Sequence, residues 1–252
     1  MGLATFKGGV HPYEGKELSE NKPTQVLVPK GDMVYPMSQH IGAPAAPLVK
    51  KGDKVLAGQK IGEASGFISA NVICSVSGTV KAVEPRRVAN GAMVNSIVVE
   101  NDGAYQTVEG LGADRDPAKL SKQEIRDIVK EAGIVGLGGA GFPTHVKLTP
   151  KDENAIEYVL VNAAECEPYL TSDYRMMLEE PEKLVGGLKV ILQLFDKAKG
   201  VIGIENNKPE AIKKMQELVK DEPRIEVCEL QTKYPQGGER SLINAITGRK
   251  VN

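Results

Sequence analysis

The chain has 252 residues, 41% of them hydrophobic and 26% charged, with 27 glycines and no tryptophan. That is ordinary globular usage at a length of one or two domains, and it excludes a disordered tail or a collagen-like repeat. With 32 Lys and Arg against 33 Asp and Glu, the net charge is −1, which leaves no basic excess for a nucleic-acid partner.

No apolar run approaches the ~18 residues of a spanning helix, so no transmembrane segment is expected. The start, Met1 to Gly8, lacks the apolar core and small-residue cleavage site of a secretory signal. Cys74, Cys166 and Cys228 stand far apart. Their spacing predicts free thiols in a reducing compartment, no metal site, and no iron–sulfur cluster of the chain's own, since a cluster takes about four thiolates.

Taken in chain order, residues 1 to about 105 read as short strands. Val26–Val28, Ile73–Val76, Thr79–Val83 and Ser96–Val99 are β-branched runs, separated by turn signals at Lys30-Gly31-Asp32, Lys51-Gly52-Asp53, Ser77-Gly78 and Asn90-Gly91. Pro44 and Pro47 exclude a helix between them. The pattern predicts a small barrel or sandwich. Val49 to Ile61 and Ser75 to Val80 resemble the recurring half-motifs of the biotinyl/lipoyl-like barrel-sandwich family. Modified members carry a lysine at a hairpin tip. Ser69-Ala70-Asn71 stands at the comparable place, so the resemblance implies a scaffold or docking module and no swinging arm.

Residues 106 to 120 read as a linker. Ser121 to Glu124 is a capping box, followed by an apolar face of Ile125, Ile128, Val129 and Ala132 and a glycine stop at Gly133. Strand and helix signals then alternate. Strands are expected at Ile156–Val161, Val201–Ile204 and Arg224–Leu230. Helices opened by Pro181 and Pro209 are expected between them, on faces Leu184, Leu188, Ile191, Leu192, Phe195 and Ile212, Met215, Leu218, Val219. A last short helix runs from Ser241 to Ile246, stopped by Gly248. This is βαβαβ, a parallel sheet whose ligands sit outside the carboxyl ends of the strands. The candidate segments therefore follow Val161, Ile204 and Leu230.

Three segments carry the chemistry. In Gly136-Leu137-Gly138-Gly139-Ala140-Gly141-Phe142-Pro143, four glycines in six positions let a ligand approach the backbone closely. Pro143 suits the start of a helix whose N-terminus attracts a phosphate. A dinucleotide fingerprint needs a strand immediately before it, and only Ile134-Val135 is there, so that reading is demoted. In Asn162-Ala163-Ala164-Glu165-Cys166-Glu167-Pro168, carboxylates at a strand's carboxyl end are placed to accept hydrogen bonds from hydroxyls or a ring amide. A plain solvated acidic loop is the competing reading, and Cys166 reads as a packed residue. In Tyr234-Pro235-Gln236-Gly237-Gly238-Glu239, a tight Gly-Gly turn opens a helix and leaves room for a ring or phosphate, or is a plain β–α turn.

Together these segments resemble, in order and spacing, the flavin-carrying NADH-oxidising subunit of respiratory complex I. The resemblance is closer to a sister family, RnfC, from the Rnf ion-translocating electron-transport complex, whose N-terminal signature is similar to Thr5-Phe6-Lys7-Gly8-Gly9-Val10-His11-Pro12. It covers essentially the whole chain. It implies an all-β barrel-sandwich hybrid at 1–115, then a Rossmann-like parallel-sheet α/β domain at 116–252 that binds FMN and NADH. It implies NADH oxidation through FMN, with electrons passed singly to 4Fe-4S clusters. By resemblance, Gly136, Gly138, Gly139 and Gly141 line FMN, and Lys147 offers it charge. Asn162, Glu165, Tyr234, Gly237, Gly238 and Glu239 flank the flavin, and Phe142 and Glu167 face NADH. No catalytic acid or base is nominated, because hydride transfer to flavin needs none.

The implied partners are the other Rnf subunits, membrane and ferredoxin-like, and the implied place is peripheral, on the cytoplasmic face of the membrane. Two departures stand out. Ala164 replaces an acidic residue of the complex I pattern, and the chain stops at Asn252, in mid-domain and before any cluster ligands. The expectation is a truncated piece or a short homologue that binds flavin without a cluster to drain it, and that is inactive where missing flavin contacts are essential. A non-catalytic scaffold like the A subunit of the sodium-pumping quinone reductase is the alternative. An ordinary NAD-dependent dehydrogenase is a third reading. His11 and His40 read as structural. His145 is either a ligand contact or a surface helix position. Met33, Met37, Met176 and Met177 read as packing residues, and Arg175 pairs with a phosphate or with Glu179.

Overall fold

A computed structural model describes residues 3–137 and 139–251. The chain forms two compact units, one of residues 27–151 and one that joins the N-terminal residues through Val26 to Asp152 onward. This division differs from a boundary near residue 115. The helix after the linker and the glycine loop pack with the β module, and the first 26 residues pack with the parallel sheet.

In the unit of residues 27–151, strands β1 (Asp32–Pro36), β2 (Ala46–Pro47), β3 (Lys54–Val55), β4 (Lys60–Glu63), β5 (Val72–Ile73), β6 (Gly78–Arg87) and β7 (Met93–Asn101) build two antiparallel sheets. Their orders are β1-β7-β6-β3 and β2-β4-β5. The buried cluster between them takes Tyr35, Val80, Ile97 and Val99 from one sheet and Ile61 and Val72 from the other. This is the barrel-sandwich hybrid, closed by side chains that alternate inward. Val26-Leu27-Val28 is not a strand: it runs unpaired, with Val26 and Leu27 each 91% exposed. Ile73–Val76 is a strand only through Ile73.

Helix α1 (Lys122–Glu131) starts with the expected capping box. Ser121 Oγ accepts from the Glu124 N–H, and the Glu124 carboxylate accepts from the Ser121 N–H at 2.8 Å. Gly133, at φ 64°, ends it in the left-handed conformation, and a short helix α2 (Thr144–Lys147) follows the glycine loop. The hairpin tip that would carry a modified lysine is buried against the end of α1 instead. Ser69, Ala70 and Asn71 are 0%, 2% and 6% exposed, and Asn71 Nδ2 donates to the carbonyls of Lys130 and Glu131, each at 3.3 Å. The tip thus caps two orphan carbonyls of α1.

In the other unit, β8 (Tyr158–Ala163), α3 (Ser172–Glu179), α4 (Pro181–Leu192), β9 (Lys199–Glu205), α5 (Pro209–Val219), β10 (Ile225–Leu230) and α6 (Glu239–Thr247) follow in order. The three strands are parallel, in the order β10-β9-β8. The central strand is buried from Gly200 through Glu205, as a sheet covered on both faces requires. A Cβ on Gly200 would meet Leu188 and Leu192 of α4, and one on Gly203 would meet Leu242 and Ile246 of α6. Positions three apart on a strand face opposite ways, so α4 and α6 cover opposite faces. The buried face of α4 is Val185, Leu188 and Leu192, with Leu194 and Phe195 buried just past its end. Helix α3 is an element that no sequence signal predicts. Within it, Met177 is fully buried but Met176 is 47% exposed.

Candidate functional site

The glycine loop lies wholly in the barrel unit. Its neck is closed by a bridge between Val135 and Pro143, by Gly136 N–H to Phe142 O at 3.0 Å, and by Thr144 N–H to Ile134 O at 3.0 Å. No strand leads into it, in keeping with the demotion of the dinucleotide fingerprint. Pro143 is the N-cap of α2, which is only four residues long. That is too short for the anion-attracting dipole expected of it. The backbone itself is held in place. Ile41 N–H donates to Ala140 O at 2.9 Å, and Gly141 adopts φ 62°, where a Cβ would stand 2.7 Å from Gln39 O. His40 stiffens that support. Its Nε2 accepts from the Ala70 N–H at 3.2 Å, which leaves Nδ1 to carry the proton and donate to Ile41 O at 3.1 Å.

Gly139 differs from Gly141. At φ 140° its backbone needs glycine, yet a Cβ there would meet nothing within 4 Å. One face of the loop is therefore supported and the other is open. Phe142 is half-buried and Lys147 exposed, while Gly138 lies outside the described residues. His145 is buried rather than on the surface, and burial pushes its pKa below the usual imidazole value.

In the sheet unit, the structure brings the acidic loop after β8 and the Gly-Gly loop after β10 into direct contact. Asn162 Nδ2 donates to Gly237 O at 2.8 Å, and Gly237 N–H donates to Cys166 Sγ at 3.2 Å. A Cβ on Gly237 would lie 2.5 Å from Ala164 O. Ala164 packs with Leu230 and Leu242, so an acidic side chain here would enter an apolar cluster. Gly238 is the N-cap of α6, and Glu239 is exposed in its first turn.

Glu165 corrects the expectation of a flavin contact. It is 5% exposed, and its carboxylate accepts from the N–H groups of Asp173 at 2.8 Å and Tyr174 at 3.2 Å, capping the N-terminus of α3. Glu167 is exposed, and beside it the Tyr234 hydroxyl is held to a raised pKa by the hydrogen bond to that carboxylate and by its charge. Burial raises the Cys166 thiol, consistent with a packed residue and no nucleophile. Arg175 pairs with Glu179, Nε to Oε1 at 2.9 Å, and takes no part in the site.

Both loops are braced by the N-terminal segment. Ala4 bridges Leu230, and Val10 and Tyr234 exchange two backbone hydrogen bonds at 2.9 and 2.8 Å. The ammonium of Lys233 bonds to Phe6 O and Gly8 O and sits 4.0 Å from the centre of the Phe6 ring. Lys16 Nζ donates to Glu165 O, Glu167 O and Leu170 O. At the end of β9, Glu205 is fully buried with Lys208 Nζ 3.4 Å away. Burial raises the Glu205 pKa, and Lys208 opposes the rise. A cavity of about 20 Å³, room for one water, lies among Lys16, Cys166, Glu205, Asn207 and Lys233. Both amide atoms of Gln236 are buried without a protein partner.

Sequence reasoning assigned no role to Lys16, Glu205, Asn207, Lys208, Lys233 or Gln236. The rule of strand carboxyl ends did point at the segment after Ile204, where Glu205 to Lys208 stand. Nothing local marks Lys16.

Residues 4–104 match the family described as the RnfC barrel sandwich hybrid domain, and residues 129–252 match the Nuo51 FMN-binding domain. The chain is similar to the RnfC-type component of the proton-translocating ferredoxin:NAD(+) oxidoreductase complex of Clostridium ljungdahlii, at 45% identity over 99% of this chain and 54% of the relative. For the counterpart in the Na(+)-translocating complex of Acetobacterium woodii the figures are 46%, 98% and 56%. For the counterpart in the ion-translocating oxidoreductase complex of Pseudomonas aeruginosa they are 38%, 99% and 32%. The chain thus spans about half the length of the first two and a third of the last. A solved NAD+-reducing nickel–iron hydrogenase is alike over 54% of this chain and 26% of its own, at 24% identity and a TM-score of 0.43, too loose a likeness to build on. With the two domains matched in tandem and relatives alike over almost every residue, the chain belongs to the RnfC family.

Proposed function

We propose that this chain is the FMN-binding, NADH-oxidising portion of an RnfC protein. The observation that carries the reading is the glycine loop inside the FMN-binding match. Its backbone is supported from one side at Gly141 and left open at Gly139, where only the backbone conformation accounts for a glycine. Such a surface suits a phosphate or a flat ring. The orphaned amide of Gln236 is a second feature that fits a polar ligand or an ordered water.

In this reading Gly136, Gly138, Gly139 and Gly141 line FMN, and Lys147 supplies positive charge. Tyr234, Gly238 and Glu239 flank the flavin, with Asn162, Glu165 and Gly237 shaping the loops that do so. Phe142 stacks on NADH and Glu167 accepts from it. Bound FMN would supply the two-electron acceptor for the nicotinamide hydride and the one-electron outlet toward iron–sulfur clusters. The chain's own residues bind and orient.

The remaining assignments follow the family. They are partnership with the other Rnf subunits, a peripheral place at the cytoplasmic face, and 4Fe-4S clusters ligated outside these residues. No helix among the described residues is long and apolar enough to cross a membrane. The coupled ion does not follow from this portion, because relatives equally similar to it are named for protons and for sodium.

One observation favours the alternative of a non-catalytic scaffold: Asn162, Glu165 and Gly237 all spend hydrogen-bonding groups inside the protein. The test is to add FMN, remove free ligand and read the retained flavin spectrum, for the wild type and for Gly139→Val. Retention by the wild type and loss in the variant, with circular dichroism unchanged, supports the flavin reading. No retention by the wild type overturns it in favour of the scaffold.

A further inference from the structure

The most concentrated polar contact in the sheet unit belongs to a residue outside every recognised motif. Lys16 is 8% exposed, and its ammonium meets three main-chain carbonyls, Glu165 O at 2.6 Å, Glu167 O at 2.9 Å and Leu170 O at 2.8 Å. An ammonium has three N–H donors, so all of them are used. All three acceptors come from one six-residue stretch, the acidic loop that follows β8.

That loop does not hold its course by itself. Tyr169 lies at φ 68°, a conformation unfavourable for a side chain other than glycine's. Tyr169 N–H donates to Glu14 O at 2.7 Å, and Gly15, at φ 62°, leaves no room for a Cβ, which would overlap the Tyr169 ring. Three carbonyl dipoles turned toward one point also repel one another unless a positive charge sits among them.

Convergent main-chain carbonyls at such distances are the coordination chemistry of a large monovalent cation. Potassium and ammonium, which differ little in radius, are the two ions that such a nest accepts. We propose that the Glu165–Leu170 loop forms a carbonyl nest for a monovalent cation and that Lys16 fills it as a tethered ammonium, which makes Lys16 a positioning residue for Glu167. The consequence for Glu167 rests on the NADH-oxidising reading above. The nest itself does not.

The charged groups around Lys16 are consistent with this role. Burial and Lys208 lower its pKa, while Glu165, Glu205 and Glu14 oppose the shift. Charge-assisted hydrogen bonds of this kind are among the stronger ones in proteins. Losing three of them from an otherwise strained loop is felt at the loop's position before it is felt in the sheet.

The experiment replaces the tether and offers free cations. Lys16→Ala is prepared in choline chloride and then supplied with potassium, ammonium or lithium chloride. The first readout is the melting temperature without flavin. The variant should melt below the wild type in choline, recover in potassium or ammonium, and recover little in lithium, while the wild type shows none of this selectivity. The second readout is NADH oxidation with a soluble electron acceptor. The variant in choline should raise KM for NADH by about tenfold or more with a smaller change in kcat, since even one lost charge-assisted bond is worth that factor. Potassium should restore it.

Should Lys16→Ala fold in potassium and fail to fold in choline, the nest is supported. Failure to fold in either overturns it, as does a folded variant whose melting temperature ignores the choice of cation. Cation-selective melting with no NADH oxidation even by the wild type would leave the nest standing and remove the NADH reading and the role of Lys16 that depends on it.

Discussion

Gly237 is where the two loops at the carboxyl end of the sheet meet, and it offers the sharpest test of how they are held. In Gly237→Ala the new Cβ would lie 2.5 Å from Ala164 O and 3.1 Å from Cys166 Sγ. The nearer atom is backbone at the end of β8, so it cannot swing aside as a side-chain tip would. Overpacking of this kind costs about 1–3 kcal/mol. Separating the loops also lengthens the 2.8 Å bond from Asn162 to Gly237 O and the 3.2 Å contact from Gly237 N–H to Cys166 Sγ, and the first of these is worth about 1 kcal/mol. The expected total is about 3 kcal/mol, or roughly 6–12 °C in melting temperature for a chain of this size. The neighbour provides the control. Gly238 has φ −65° and a nearest atom, Pro235 O, at 3.3 Å from an added Cβ, so Gly238→Ala should change stability by less than about 1 kcal/mol. The assay is thermal and urea unfolding followed by circular dichroism. Equal effects of the two substitutions, or a Gly237→Ala protein as stable as the wild type, would refute the packing argument.

Three further outcomes are expected. Lys208→Met strips Glu205, which is fully buried, of the cation 3.4 Å away, and should destabilise by about 3–5 kcal/mol near neutral pH and above. Burial already raises the Glu205 pKa, and the substitution raises it further. The native state then holds its proton more tightly than the unfolded chain does, so the loss should be smaller at about pH 5 than at about pH 8. Urea titrations at both values check this, and a loss that does not depend on pH counts against it. Glu167→Gln removes the charge and the hydrogen-bonding carboxylate that raise Tyr234, so the phenol should titrate lower, read as tyrosinate absorbance in a difference spectrum against the wild type. Ser121→Ala deletes the capping box of α1 and should cost about 1 kcal/mol in the barrel unit, measurable as a shifted urea midpoint.

The parts of the fold legible in the sequence are those whose cause is local. The parallel strands show as buried β-branched runs, α4 and α5 open on Pro181 and Pro209, and α1 and α6 end on Gly133 and Gly248 in the left-handed conformation. Val26-Leu27-Val28 misled because β-branched residues favour a strand only when a partner edge exists, and here none pairs with them. Helix α3 was hidden because its N-cap comes from Glu165, seven and more residues upstream, and not from its own first turn. The braces of the site were illegible for the same reason at greater range. Lys16 lies 149 residues from Glu165, and Lys233 lies 227 from Phe6, so no window of sequence contains both partners.

A motif merges two kinds of residue that the structure separates. Gly141, Glu165 and Gly237 face inward and hold their loops, whereas Gly139, Lys147, Glu167 and Glu239 are open or exposed. Both kinds recur together in a family signature because a loop can present a ligand contact only if its own backbone is fixed. They differ in what their loss does. Removing an inward residue lowers stability and ligand affinity together, since one displacement causes both. Removing an outward one changes how the ligand is held while the unfolding transition stays where it was.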